Sequence, residues 1–542
     1  MTDGEIQDYA LTLDKFLTHA AKWHPGAEVV TAPSTDGMAN DRIGYAALAL
    51  RSRAVSAALQ RLGISKGDRV ATLAWNTRAH VEAWYGIMGM GAVCHTLNPR
   101  LTTAQVAEMV SRSQAKILIA DADLLPAARS IAYAARSIER ILVINAGKSG
   151  PEQLPGPIEV SDFDSLLIRA ADDETEWGAF DETTPAGLCF TSGTTGAPKG
   201  VTYTHRSNYL HTLRVLQADV MAISAADSIL AVVPMFHANA WGLPFAAPAV
   251  GAKLVLPGRN SDGASLARLI AGEHVTIGVG VPTVWLGLLD HLEETGEVLP
   301  SLKRIIVGGS PMPPALMERI EQRLGVTVQT SWGMTELSPL GTITPAWAAE
   351  RPAEFSGSPT VGVDLLLVDA EGNPLAEQRG EEGHLRVRGA AIVERYFGAE
   401  ETAVDADGWF STGDLARIDA SGRLAITGRA KDLIKSGGEW INPAEIEAIV
   451  SALPEVSLVA VIGRIHPKWG ERPHLFVEIR PGSEISDEAL LAPLRERVAT
   501  WWIPDTIKRL AAMPLAATGK IDKQYLRRTF SEELAHPEGG AS

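Results

Sequence analysis

Thr191-Ser192-Gly193-Thr194-Thr195-Gly196-Ala197-Pro198-Lys199-Gly200 gathers four small hydroxylated side chains, three glycines and one cation behind an apolar run, Gly187-Leu188-Cys189-Phe190, that reads as a strand. That composition suits an anion. Glycines let the backbone approach and wrap a polyphosphate, N–H groups and hydroxyls donate to its oxygens, and the lysine supplies countercharge. A helix-like segment, Arg206 to Gln217, follows, and a helix N-terminus adds its dipole to the same reading. A flexible Ser/Thr/Gly connector is the plain alternative that this composition allows. The common nucleotide loop would need Gly-Lys-Ser/Thr where Pro198, Lys199 and Gly200 stand, so the chemistry need not be that of an ATPase motor or a GTPase.

Outward from this loop the chain alternates. Before it, Tyr45 to Leu62 and Leu101 to Ser113 read as helices, and Arg69 to Trp75 and Lys116 to Ala120 as strands. After it, Ile229 to Val233, Lys253 to Leu256, Thr276 to Val281, Arg304 to Val307 and Val326 to Thr330 read as short strands, with Leu316, Ile320 and Leu324 at helical spacing. Such alternation predicts parallel sheets covered by helices. Past residue 355 hairpins take over, turning at Asp369-Ala370-Glu371-Gly372 and Asp419-Ala420-Ser421-Gly422. They predict an antiparallel sheet or a small barrel. After Arg429, roughly one hundred residues remain, with strands at Leu458 to Ile462 and Leu475 to Ile479 and a helix at Asp487 to Thr500, enough for a small domain. The expected fold is an α/β large N-terminal domain, residues 1–430, with two parallel-type αβ sheets and a small β-barrel-like subdomain. A smaller, mobile α+β C-terminal domain, residues 431–542, follows across a short joint able to act as a hinge.

The bulk composition narrows the class. With 542 residues, 46% hydrophobic and 21% charged, the chain is globular and too long for one core. Its net charge of -16 argues against nucleic acid as a partner. The two cysteines, Cys94 and Cys189, stand in apolar surroundings and exclude a disulfide framework. Asp3, Glu5 and Asp8 give the N-terminus none of the character of a signal peptide, so the cytoplasm is the expected location. Ala231 to Ala252 carries no Asp, Glu, Lys or Arg, but Pro234, Pro244 and Pro248 would leave backbone groups unpaired in lipid. A buried loop lining an apolar cavity is expected there, and no membrane span.

The run Thr-Ser-Gly-Thr-Thr-Gly-x-Pro-Lys-Gly resembles the AMP-binding signature of the acyl-adenylate-forming enzymes, which include acyl-CoA ligases, luciferases and adenylation domains of peptide synthetases. The resemblance covers nearly the whole chain. It implies that Thr191, Ser192, Gly193, Thr194, Thr195 and Lys199 hold the phosphates of ATP. Ser331-Trp332-Gly333-Met334-Thr335-Glu336 is similar to a second motif of that family, which places Trp332 on the adenine, Thr335 at the α-phosphate and Glu336 on Mg2+. Gly308-Gly309-Ser310 matches the segment between adenine and acyl group. Asp414 matches the ribose clamp, where a carboxylate accepts from two hydroxyls, and Arg429 a second ribose and phosphate contact.

Three further segments extend the resemblance. Lys431 aligns with the hinge residue about which the small domain rotates. Lys435, Gly437, Gly438 and Trp440 lie in a segment similar to the one beside the pantetheine of coenzyme A. Lys520, in Thr518-Gly519-Lys520-Ile521, aligns with the adenylation lysine, a mobile ammonium that offsets the repulsion between two anions. By the same resemblance His237 gates the pantetheine tunnel and lines the acyl site, and Asn239 and Trp241 bound the acyl pocket together with Gly308 and Gly333. Met235 to Gly242, with His466 to Pro473, is most similar to medium-chain fatty-acyl-CoA and 3-methylmercaptopropionyl-CoA ligases.

The implied activity joins a small-molecule carboxylic acid to coenzyme A at the expense of ATP. A medium-chain fatty acid is the expected acid, with a short thioether acid next and aryl or polyether carboxylates open. A module loading a carrier protein, a light-emitting oxygenase and a silent nucleotide binder are the rival classes. A homodimer is the assembly the resemblance suggests.

Overall fold

The computed structural model describes residues 5–33, 39–147, 150–151, 158–191, 198–516 and 519–530. Four sheets organise it. In the first, Glu159–Asp162, Arg140–Ile144, Ile117–Asp121, Arg69–Leu73, Val93–Thr96 and Pro185–Thr191 lie side by side in parallel, and Lys199–Thr204 closes one edge antiparallel to Pro185–Thr191. The second, nine-stranded sheet is built on the parallel strands Thr327–Gly333, Arg304–Val307, Ile277–Gly280, Ser228–Ala231, Lys253–Leu256 and Glu28–Thr31. Antiparallel strands flank it at both ends.

Helices cover these sheets because their apolar residues repeat at helical spacing. In Pro314–Leu324, Leu316, Met317 and Ile320 are buried. Trp285, on the helix Pro282–Thr295, fills the space left by two strand glycines: a Cβ on Gly278 would stand 2.4 Å from its ring. Truncating a tryptophan buried in this way costs about 3–5 kcal/mol.

The third sheet is an antiparallel meander of Val363–Val368, Glu382–Gly389, Phe410–Ile418 and Leu424–Arg429. Of the two forms the hairpins allowed, the open sheet is the one adopted. The fourth is five-stranded, led by the long hairpin of Val456–His466 and Gly470–Ile479, and packs against the helices Pro443–Ser451 and Asp487–Arg495. The expected fold class, a large α/β part followed by a smaller α+β part, is the one formed.

Two expectations are corrected. The loop after Thr191 leads into a strand, Lys199–Thr204, before the helix His205–Val215 begins. The helix N-terminus follows that strand and is closed by a capping box of Thr204 and Ser207, so it does not directly follow the Thr191 to Gly200 stretch as expected. The segment Ala231 to Ala252 is loop only in part, since Leu243–Val250 is a buried helix. Its prolines fit: Pro244 sits in the first turn, and the Pro244 carbonyl, which Pro248 has no N–H to bond, accepts from Tyr85 Oη at 2.9 Å. Phe245 packs on Trp84 and Tyr85, which explains the absence of charge without a membrane. Among the described residues no helix is long and apolar enough to cross one.

Candidate active site

Three parallel strands of the nine-stranded sheet deliver the site at their carboxyl ends, the usual ligand position in α/β sheets. Ser228–Ala231 runs on to His237, Arg304–Val307 runs into Gly308-Gly309-Ser310, and Thr327–Gly333 carries Ser331, Trp332 and Gly333. Space is tight. A Cβ on Gly308 would lie 2.5 Å from Ser331 Oγ and 3.0 Å from the Trp241 ring, and one on Gly309 would meet Lys520 Cε at 3.4 Å. Ser331 Oγ is itself fixed on the Val307 carbonyl at 2.9 Å. Gly308 leaves no room for a side chain, Gly309 has φ of 83°, and Lys520 reaches Gly309 from the other end of the sequence.

The charges around Lys520 form one group. Asp414, buried in the meander, accepts from Trp332 Nε1 at 3.0 Å through Oδ2. Its Oδ1 lies 2.6 Å from Arg429 Nε, an ion pair without hydrogen-bond alignment. Burial pushes the Asp414 carboxyl up, against the pull of Arg429, Trp332 and Lys520. Burial, then Arg429, depresses the Lys520 ammonium to about 8, with Asp414 opposing. Burial, with Lys520 behind it, lowers His237 to about 4, so its imidazole is neutral near pH 7 and is no ready proton carrier there. Trp332 has its ring against Gly341 and its N–H committed to Asp414.

Below this group stands the carboxylate expected to meet a metal. Glu336 and Thr335 are buried in the turn Thr335–Leu337, held by Tyr203 Oη on the Thr335 carbonyl at 2.9 Å and by Val393 N on the Glu336 carbonyl at 2.8 Å. Tyr396 Oη donates to Glu336 Oε1 at 2.9 Å, and Lys199 Nζ stands 4.8 Å from the centre of the Tyr396 ring. Burial, then Glu336, raises the Tyr396 phenol, keeping it a donor. Among the described residues no group of three or more His, Cys, Asp or Glu is placed to hold a metal. A single buried carboxylate fits an ion that takes its other ligands from phosphate and water, as Mg2+ does. Thr191 ends its strand with Oγ1 on the Lys199 carbonyl at 3.3 Å. Ser192, Gly193, Thr194, Thr195 and also Thr518 lie outside the described residues.

Beyond His237, five consecutive residues, Ala238 to Gly242, have positive φ, from 45° at Ala238 to 79° at Gly242. Asn and Gly tolerate this region; for alanine and tryptophan it costs about 1–2 kcal/mol each. The turn buries Asn239, whose Nδ2 donates to Asn208 Oδ1 at 3.3 Å, and sets Trp241 over Gly308. His237 precedes the turn in extended conformation.

The small part meets the large one at a few contacts. Lys431 sits in the turn Ala430–Asp432, its ammonium lowered chiefly by burial. Asn442 caps the helix Pro443–Ser451 through Ala444 N and donates across to the Thr427 carbonyl at 2.7 Å. Thr283 Oγ1 donates to the Gly519 carbonyl at 3.0 Å. Lys435, Gly437, Gly438 and Trp440 form a hairpin whose partners are elsewhere: Gly437 N donates to the Trp469 carbonyl at 2.7 Å, and Arg472 reaches Ser436 Oγ at 3.2 Å. Trp440 is exposed. The structure thus brings Lys520 to Gly309 and to the charges of Asp414 and Arg429, and leaves this hairpin apart. Sequence reading missed Tyr396, Thr283 and Asn442. Only Asn442 carried a local signal, an Asn-Pro helix start.

A family model described as AMP-binding enzyme matches residues 17–397, and the AMP-binding enzyme C-terminal domain matches residues 445–520. The chain belongs to the AMP-binding enzymes. The 3-methylmercaptopropionyl-CoA ligase of Ruegeria lacuscaerulensis is 40% identical over 98% of this chain and 99% of its own. The medium-chain-fatty-acid–CoA ligase of Ectopseudomonas oleovorans is 40% identical over 98% of each. In fold the chain is similar to an anthranilate CoA ligase solved with anthranoyl-AMP, at a TM-score of 0.86 and 24% identity, covering 98% of this chain and 99% of that one. The family resemblance first drawn from the loop at Thr191 is borne out.

Proposed function

We propose that this enzyme is an AMP-forming carboxylic acid:CoA ligase that works through an acyl-adenylate. In the first step a carboxylate oxygen bonds to the α-phosphorus of ATP as the bond to the β-phosphate breaks and pyrophosphate leaves. In the second, the sulfur of coenzyme A bonds to the acyl carbon, the acyl–oxygen bond breaks, AMP leaves, and the thiol proton is lost to solvent. The observation that carries this reading is the position of Lys520, with its Cε against Gly309 and its charge felt by Asp414 and His237.

The chain's own residues act by position and charge. Lys520 offsets the approach of two anions. Asp414 and Arg429 hold the ribose, Thr335 meets the α-phosphate, and Lys199 with the Thr191 loop holds the phosphates. Glu336 would hold Mg2+, which when bound lowers the phosphate charge opposing attack. His237, Asn239 and Trp241 bound the acyl pocket, and neutral His237 gates it. Residues 1–430 and 431–542 are the two domains. Lys431 is the hinge about which the Lys435–Trp440 hairpin is exchanged for Lys520 beside coenzyme A.

The acid is a medium-chain fatty acid, supported by the apolar segment around His237 and the 40% identity to the Ectopseudomonas enzyme. 3-Methylmercaptopropionate stands second, on equal identity to the Ruegeria enzyme. A cytoplasmic homodimer completes the reading. Coenzyme A-dependent AMP formation across a panel of aliphatic, thioether and aryl acids tests it. Activity only with a pantetheinylated carrier protein, or none with any acid, overturns it.

A further inference from the structure

The segment from Val393 to Phe397 is bonded both to Glu336 and to the strand that begins at Lys199. Val393 N donates to the Glu336 carbonyl at 2.8 Å, and Phe397 N donates to the Gly200 carbonyl at 2.7 Å. Between these two backbone bonds stands Tyr396, with its hydroxyl on Glu336 Oε1 at 2.9 Å and its ring 4.8 Å from Lys199 Nζ. One rigid side chain therefore touches the carboxylate and the cation that must act on the same polyphosphate. The contact with Gly200 is close enough that a Cβ there would lie 2.9 Å from Phe397 Cβ, so the strand leaving the loop cannot drift from the Tyr396 segment.

The two contacts have different physics. A phenol bonded to one carboxylate oxygen fixes the plane of the carboxylate and leaves the second oxygen to a cation, and bonds to charged acceptors are the stronger kind. An ammonium over a ring face is held without a competing anion, so it stays available to phosphate. A direct Glu336–Lys199 ion pair would instead neutralise both groups. Tyr396 keeps the two charges near each other, and among the described residues no ion pair joins them.

We infer that Tyr396 is a positioning residue of the phosphate site, orienting Glu336 for a divalent cation through its hydroxyl and seating Lys199 for the nucleotide through its ring. This rests on the proposed ligase reading. The test uses the full chain without any acid, so that no turnover occurs, and reads Mn2+ bound with α,β-methylene-ATP by electron paramagnetic resonance.

Tyr396→Phe removes the hydroxyl alone. It should weaken Mn2+ retention about tenfold, while nucleotide affinity measured in a chelator stays within twofold of wild type. Tyr396→Leu removes the ring as well and should lower nucleotide affinity even without metal. In a Glu336→Gln background Tyr396→Phe should add less than twofold. A merely structural tyrosine would give equal losses in both backgrounds, and that result, or unchanged Mn2+ retention in Tyr396→Phe, overturns the inference. If wild-type protein binds no metal–nucleotide complex at all, the ligase reading fails and this inference falls with it; the wild-type arm tells the two failures apart. Melting curves of each variant confirm that the compared proteins are folded.

Discussion

Thr283 Oγ1 donates to the Gly519 carbonyl at 3.0 Å, a bond between residues 236 positions apart that holds the lysine-bearing turn on the large part of the molecule. Gly519 has φ of 81°, and a Cβ there would stand 3.0 Å from Val281. Among the described residues, the segment that presents Lys520 is therefore docked through this hydrogen bond, the close approach of Gly519 to the Val281 side chain and the contact of Lys520 with Gly309. Thr283→Val keeps the shape and removes the bond, worth about 0.5–1.5 kcal/mol. Acid-dependent pyrophosphate release should fall about two- to tenfold, while thioester formation from pre-made acyl-adenylate stays unchanged.

Lys520 supplies a pH signature. Its ammonium is depressed to about 8, so the charge that offsets two anions is lost as pH rises through that value. kcat/KM for adenylate formation should decline above pH 8, roughly tenfold per unit once past the pKa. Thioester formation from pre-made adenylate should lack that limb. Lys520→Ala should abolish the first step and largely spare the second; equal loss in both would refute the role.

Gly437 should matter to the second step more than to the first. It has φ of 60°, and a Cβ would lie 2.9 Å from the Trp469 ring. Gly437→Ala strains the backbone and displaces Trp469, and Gly437→Trp fills the space beside the hairpin. Both should slow thioester formation more than pyrophosphate release, with tryptophan the more severe, measured with and without coenzyme A.

Asp121 ends a strand of the seven-stranded sheet, where burial lifts its carboxyl to about 7 against hydrogen bonds from Trp75 N and Asn145. Its unfolded value is about 3.9, so the native state holds the extra proton between these limits. The stability it contributes is fully present below about pH 4 and is lost as pH rises through about 7. Asp121→Asn should raise the melting temperature at pH 8.5 and leave it unchanged or lower at pH 5. The opposite order of effects would contradict the burial argument.

Much of the framework was legible from residues alone. Lys253–Leu256 and Arg304–Val307 form as strands at the very limits read from their apolar runs. The helix Tyr45–Arg61 ends one residue short of the expectation. The loop at Thr191, the Trp332 to Glu336 motif and Lys520 carried the family. The strand Lys199–Thr204 was not legible, because its pairing with Pro185–Thr191 is settled across the loop and its own pattern is too short to separate from a helix start. Leu243–Val250 read as loop because its two prolines, Pro244 and Pro248, argue against a helix until Tyr85, from another helix, takes the Pro244 carbonyl.

The sequence by itself determined which chemistry the chain carries, since glycine, hydroxyl, lysine and carboxylate at set spacings have local reasons to sit there. Only the tertiary structure decided which of those residues meet. Tyr396 joins Glu336 to Lys199, Thr283 holds Gly519, and Trp332 pairs with Asp414 across distances in sequence that no local pattern encodes. The left-handed run from Ala238 to Gly242 belongs with these, for alanine and tryptophan adopt it only where surrounding packing outweighs its cost. Periodicity reports what a residue's neighbours in the chain require; contacts between remote segments are set by packing of the whole, and the site is made of those.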